Sequence, residues 1–248
     1  MKFQTPKFPR YILGIAVLFG LVFAMGSCGT EENDQSEGET TQKEGVINYR
    51  MTYPYFKDDF MKSFLPDQMT MEFNGHLYKN TVTKAGMFST SIIADCKDRK
   101  VWMILDLGMK QLYCELDSSE TKRMVDTLFN YPELYEVDRV QTDDILELNC
   151  DKYLAVYDTP EMGYDCNIYA SSKIGIPNSN WCNQYRGLKE VMLQYEAEQF
   201  GLVTRFKATE ILKQKVDKSV FEIGENFKEV PLERMIYELE SIFAQVIE

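Results

Sequence analysis

Gly45-Val46-Ile47-Asn48-Tyr49-Arg50-Met51-Thr52-Tyr53-Pro54 decides the fold class. Ile47, Tyr49, Met51 and Tyr53 alternate with Asn48, Arg50 and Thr52. Side chains two apart share one face of a strand, so this segment reads as a half-buried strand with a polar outer side. Pro54 lacks the amide that would extend the ladder and ends it.

The same period recurs downstream. Met69, Met71, Phe73 and Leu77 alternate with Thr70, Glu72, Asn74 and His76, and Asn74-Gly75 marks a bulge or turn. Phe88, Thr90, Ile92 and Ala94 share a face; Lys97-Asp98-Arg99 turns the chain into Val101, Met103 and Leu105. Leu107-Gly108-Met109 turns it again into Leu112, Cys114 and Leu116, giving an antiparallel meander. Further strands are expected at Asp144 to Asn149, Cys150 to Tyr157, Tyr164 to Ala170, Val191 to Ala197 and Leu202 to Ala208. Ser171 to Arg186 reads as a long loop with Pro177, Asn178, Ser179 and Asn180 near its tip. The expectation is a mainly β (α+β) domain, a curved antiparallel sheet or half-barrel of nine or ten strands.

Two helices interrupt the pattern. Asp117-Ser118-Ser119-Glu120 is a cap for a short insertion carrying Met124, Val125, Leu128 and Phe129, stopped by Asn130-Tyr131-Pro132. At the C-terminus, residues 231–247 place Leu232, Met235, Ile236, Leu239, Ile242, Phe243, Val246 and Ile247 on one helical face. Glu233, Arg234, Glu238 and Glu240 lie on the other, and this amphipathic helix is expected to cover the concave side of the sheet.

The N-terminal region carries an address. Lys2, Lys7 and Arg10 precede an uncharged run from Tyr11 to Ala24, too short for a spanning helix, and Met25-Gly26-Ser27-Cys28 closes it. This resembles a bacterial lipoprotein signal, residues 1–27, with Cys28 the acylated residue. Residues 28–44 form an acidic tether with little apolar content, expected to be disordered and to span roughly 20–25 Å as a flexible coil. Glu31, Glu32 and Asp34 resemble a surface-export signal; a plain periplasmic linker is the other reading. Residues 45–248 then form a single domain on an outer membrane lipoprotein, facing either the periplasm or the cell surface.

Charge and cysteines narrow the function. The formal charge of the whole chain is −12, and cleavage before Cys28 removes three basic residues and no acid, giving −15. Such a surface opposes nucleic acid and anionic headgroups, so the expected partner is the membrane, reached through the N-terminal lipid. Cys96, Cys114, Cys150, Cys166 and Cys182 remain, an odd number whose connectivity is open and whose spacings contain no C-x2-C metal or redox pair. Cys114 and Cys166 fall on apolar strand faces and read as small core residues.

A family likeness rests on Ile47-x-Tyr49-x-Met51, Met69-x-Met71-x-Phe73-x-Gly75, Ala94-Asp95, Cys150-x-Lys152-Tyr153, Gly187-Leu188-Lys189, Leu193-x-Tyr195-Glu196, Thr204 to Ile211, Val216-Asp217 and Phe221. Together these resemble the uncharacterised lipoproteins whose domain adopts the curved sheet of the lipoprotein carrier LolA and its receptor LolB. The likeness spans about Gly45 to Lys228. It departs before Cys150, where Leu146-Glu147-Leu148-Asn149 stands in place of a glycine-containing turn, and the helix at 231–248 is an addition. The resemblance implies a curved-sheet fold, with no catalytic residues and no site to carry over.

Enzyme chemistry finds little footing. His76 is the single histidine, on the polar side of its strand, and there is no Gly-rich phosphate loop or H-E-x-x-H motif. Asp58-Asp59 and Asp143-Asp144 read as solvated turns, because no calcium-loop motif accompanies them. No metal or cofactor is expected. The leading expectation is a non-catalytic binding module holding an apolar ligand, a lipid or acyl chain. A structural or interaction lipoprotein with a filled core, and a carboxylate-dependent hydrolase, are the alternatives.

Overall fold

The computed structural model describes residues 41–84, 87–137, 145–158, 165–199 and 202–247. The expectations for residues 1–40, including Cys28, Glu31, Glu32 and Asp34, and for Asp143-Asp144, lie outside the described residues. In chain order the elements are β1 (Glu44–Thr52), α1 (Asp59–Lys62), β2 (Gln68–Asn74), β3 (Leu77–Lys84), β4 (Phe88–Asp95), β5 (Lys100–Asp106) and β6 (Gln111–Leu116). There follow α2 (Ser118–Leu128), β7 (Glu133–Glu136), β8 (Asp151–Val156), β9 (Cys166–Ser171), β10 (Val191–Gln199), β11 (Leu202–Leu212), β12 (Lys228–Glu229) and α3 (Leu232–Ile247).

The fold is mainly β: one open twelve-stranded sheet in the order β12-β6-β5-β4-β3-β2-β1-β11-β10-β9-β8-β7. Two antiparallel meanders meet at the centre, where β1 pairs with both β2 and β11; Ile47 sits opposite Met71 on one side and Ile211 on the other. The first meander runs outward from β1 to β6. The chain then moves through α2 to the far edge, and the second meander returns inward from β7 to β11. The connection β1–β2 and the turns β3–β4 and β5–β6 consequently lie at one end of the sheet. The turns β2–β3 and β4–β5 lie at the other, where Glu44 begins the first strand.

Twelve strands replace the nine or ten expected. Asn74-Gly75 is a full turn, with Gly75 at φ +65°, so one long alternating run is two paired strands, β2 and β3. β7 and the two-residue β12 are too short to leave a periodic signature; β12 pairs parallel with β6. The strand expected up to Asn149 is absent in its described part. Ile145 and Leu148 instead bridge across Leu146 and Glu147, at φ +53° and +65°. That is the geometry of a tight hairpin turn normally given to Asn-Gly, here made by two residues that resist it. α3 begins at Leu232, directly after Pro231, one residue later than expected.

One face of the sheet carries the main core. Ile47, Met71, Phe73, Tyr78, Leu193 and Phe206 are among its fully buried side chains. Tyr195 stacks on Phe206 at 4.7 Å between ring centroids and meets Tyr49 and Tyr185 edge-on. The buried phenols find backbone partners: Tyr49 donates to Met192 O at 3.0 Å and Tyr185 to Glu196 O. Three layers cover this face. α2 is fixed by a capping box, in which the Asp117 side chain accepts from Glu120 N while Glu120 accepts from Asp117 N. α3 rests on β5 and β6 and sends Met235 and Leu239 into the core. The loop 172–190 is the third layer, with Asn180, Cys182 and Tyr185 buried, so its polar centre is an inward plug rather than a solvated tip.

The opposite face is closed by the strap 213–229. Val216 and Phe221 pack there with Val46, Ile93 and Ile104, and Asn74 Nδ2 and Lys79 Nζ donate to the carbonyls of Val216 and Val220. This explains why β4 is buried on both faces.

Candidate functional site

The end of the sheet that carries the β1–β2, β3–β4 and β5–β6 connections holds an apolar cavity of about 720 Å³. Its walls are Phe60, Met61 and Phe64 from and just after α1, Met87 and Phe88 at the start of β4, Leu107 after β5, and Glu238, Ser241 and Ile242 from α3. Its size falls within the range of ligand pockets, roughly 300–1,000 Å³.

Local sequence puts each wall in place. The side chain of Asp58 accepts from the amides of Phe60 and Met61 at 3.0 Å, and Asp59 pairs with Lys62, which fixes one helical turn after Tyr55. That turn buries none of its residues. It is tied to the sheet from beneath by Lys84 Nζ donating to Leu65 O and Tyr53 Oη donating to Pro66 O. Phe60 and Phe64 meet edge-on at 5.2 Å. Across the cavity, Gly108 at φ +77° turns β5 into β6 and leaves Met109 fully exposed at the hairpin tip.

The rim is exposed and apolar: relative exposure is 72% for Phe60, 37% for Phe64 and 46% for Met87. Large apolar side chains at loop tips cost solubility, and here they are concentrated around one opening. The main polar feature is Glu238. Its Oε2 accepts from Lys110 Nζ at 2.5 Å, which joins α3 to the β5–β6 turn, and its Oε1 pairs with Arg234 one turn earlier in the same helix. Burial raises the carboxyl, but Lys110 and Arg234 outweigh it and hold Glu238 below its ordinary range.

Several carboxylates cluster among the described residues. Glu115, Glu120, Glu229 and Glu233 border a groove between β6 and the start of α3. Glu115 is taken by Lys100 and Trp102, Glu120 by the α2 cap and Glu229 by the Tyr113 hydroxyl. Burial raises Glu198 and Glu240, the pattern of a general acid, yet β10 and α3 belong to different halves of the sheet. His76 is partly exposed, with Nε2 3.9 Å from Asp95 Oδ2. No group of three or more His, Cys, Asp or Glu among the described residues is placed to hold a metal ion. The five described cysteines are buried and form no disulfide with one another. No described helix is long and apolar enough to cross a membrane.

Sequence reading missed this cavity. Its signal is Met87 and Met109 at hairpin tips, where Asn, Asp or Gly is usual, with Phe60 and Phe64 in a loop otherwise rich in charge.

No protein-family model matches the chain, and no curated protein matches it. Among solved structures, the chain is similar to PNGF-II in two crystal forms, P21 and C2, at 13% and 12% identity. The TM-scores are 0.49 and 0.47, covering 79% of this chain and about a third of those chains, 34% and 33%.

Proposed function

We propose that the protein is a membrane-anchored lipoprotein of the cell envelope, held through Cys28, and a non-catalytic module that binds an apolar ligand such as a lipid or acyl chain. In this reading the sheet is a half-barrel of the LolA/LolB kind, on an outer membrane lipoprotein facing the periplasm or the cell surface. The ligand sits at the end of the sheet, because the loop 172–190 already occupies the middle of the core face. The observation that carries the reading is the cavity of about 720 Å³ walled by Phe60, Met61, Phe64, Met87, Phe88, Leu107 and Ile242. Apolar walls with adaptable methionines accept flexible chains without demanding one shape. The opening faces away from Glu44, so an anchored domain presents it to a donor or acceptor rather than to its own bilayer.

The test is displacement of an environment-sensitive fluorescent fatty acid from the full chain. Met87→Glu and Phe64→Glu place charge at exposed rim positions, where substitution changes folding stability by only about 0.5 kcal/mol. Saturable binding by the parent and its loss in these variants support the proposal; equal binding by parent and variants defeats it. A second reading, a structural or interaction lipoprotein with a filled core, draws on the buried loop 172–190 and predicts no saturable binding at all.

A further inference from the structure

The opposite end of the sheet holds a second cavity, of about 440 Å³ and contrasting chemistry. Arg99 from the β4–β5 turn, Ser118 and Lys122 from the first half of α2, and Asn178, Arg186 and Lys189 from the loop 172–190 border it. Among the described residues four cations and no carboxylate line it, in a chain whose formal charge is −12. Asp117 and Glu120 form the α2 capping box, and Glu190 accepts from Tyr153 and from Lys189 N. Asp126 pairs with two of the four cations, Lys122 and Arg186, and so answers part of the charge of the site. Arg186 also lies over the Tyr131 ring at 4.0 Å. Arg99 and Lys189 have no side-chain ion pair among the described residues.

The floor is rigid. Asn180 is buried, donating from Nδ2 to Leu188 O at 2.9 Å and accepting from Asn183 Nδ2 at 3.0 Å, and Trp181 forms a wall. Arg99 is held at φ +53°, a left-handed conformation unfavourable for a non-glycine residue. A cleft lined by one sign of charge against low-dielectric walls focuses its field and concentrates the opposite ion.

We infer that this cavity, built on Arg99, Lys122, Arg186 and Lys189, is a binding site for a phosphate monoester. With Asp126 shared between Lys122 and Arg186, the uncompensated charge centres on Arg99 and Lys189, and a compact multi-oxygen dianion answers it with several acceptors where a single carboxylate offers two. The phosphate has two possible sources, a soluble phosphorylated molecule or a lipid headgroup. The second is within reach because the cavity is on the chain-entry end, where Gln42 pairs with Lys173 and Ile174 of the same loop.

Trp181 is a built-in reporter, since the other tryptophan, Trp102, packs on the opposite face of the sheet. The experiment uses the full chain in detergent micelles carrying Trp102→Phe, titrated with glycerol 3-phosphate in solution or with phosphatidic acid in the micelle. A phosphatidylcholine micelle is the control. The expected result is a saturable, salt-sensitive change in Trp181 emission with at least one phosphate probe. Arg99→Asn with Lys189→Gln should weaken it at least about tenfold, because hydrogen bonds to charged groups are stronger than neutral ones. Asparagine tolerates the left-handed turn and both positions are exposed, so the fold is preserved. Response to glycerol 3-phosphate alone assigns a soluble ligand, and response to phosphatidic acid alone a headgroup. No saturable response to either probe at millimolar concentration, or one the double variant leaves unchanged, overturns the inference.

Discussion

Met235→Ala tests how α3 is attached. Met235 is completely buried and, with Leu239, anchors the helix in the main core. Truncating a buried methionine removes its transfer energy and leaves a cavity, a cost of about 2–5 kcal/mol. The other described attachments include the half-buried Leu232, Ile236 and Ile242, the Lys110–Glu238 bridge, and Val230 N donating to Tyr113 O. Because α3 rests on β5 and β6, its release leaves the central ladder of β2, β1 and β11 intact. The loss therefore falls on a local opening. Amide hydrogen exchange in residues 235–242 should accelerate from about 30-fold to several thousand-fold, at 1.4 kcal/mol per factor of ten. Amides in β1 and β11 should keep their protection. Because α3 supplies one wall of the apolar cavity, the fluorescent fatty acid should also bind more weakly. Unchanged exchange in α3, or equal acceleration in β1 and β11, would refute the idea of a separately hinged cover.

The strained hairpin offers a stabilising change: Leu146→Asn with Glu147→Gly should add about 1–2 kcal/mol, read as a raised urea midpoint with unchanged slope, and a lowered midpoint counts against the strain. Acid should loosen the α3 contact. Glu238 has a depressed folded pKa, so its contribution is present above the unfolded value of about 4.3 and is lost as pH falls through the folded one. The melting-temperature gap between parent and Glu238→Gln should accordingly shrink from pH 7 to pH 3; a constant gap removes the ion pairs from the account. Burial pushes the Cys166 thiol up to about 11 and Cys114 up to about 12. Cys96, Cys114, Cys150, Cys166 and Cys182 should thus resist a thiol reagent at pH 8 in the folded chain and all react after denaturation, whereas missing thiols would reveal a disulfide.

The sheet was legible wherever one face is buried and the other wet. Ile47 to Tyr53 and Leu112 to Leu116 show clean alternation, and the structure places strands there. The capping residues Asp117 and Glu120 announced α2 by side-chain chemistry alone. What escaped reading has physical causes. β7 and β12 are shorter than the period needed to see them, and the turn at Leu146-Glu147 uses residues that advertise no turn. The loop 172–190 is polar in sequence yet buried, because Asn180 and Asn183 satisfy each other and the backbone within it. Both candidate sites draw on residues far apart in the chain, Phe60 with Ile242 and Arg99 with Lys189, and only the order of strands brings them together.

Native mass spectrometry of the full chain, extracted from its own membranes, tests the binding role most directly. The account predicts a non-covalent adduct with the mass of an acyl-bearing molecule, in addition to any covalent lipid on Cys28. That adduct should be released on activation and be missing from the Met87→Glu and Phe64→Glu variants. A parent protein that carries no such adduct, or one that both variants retain in full, would contradict it.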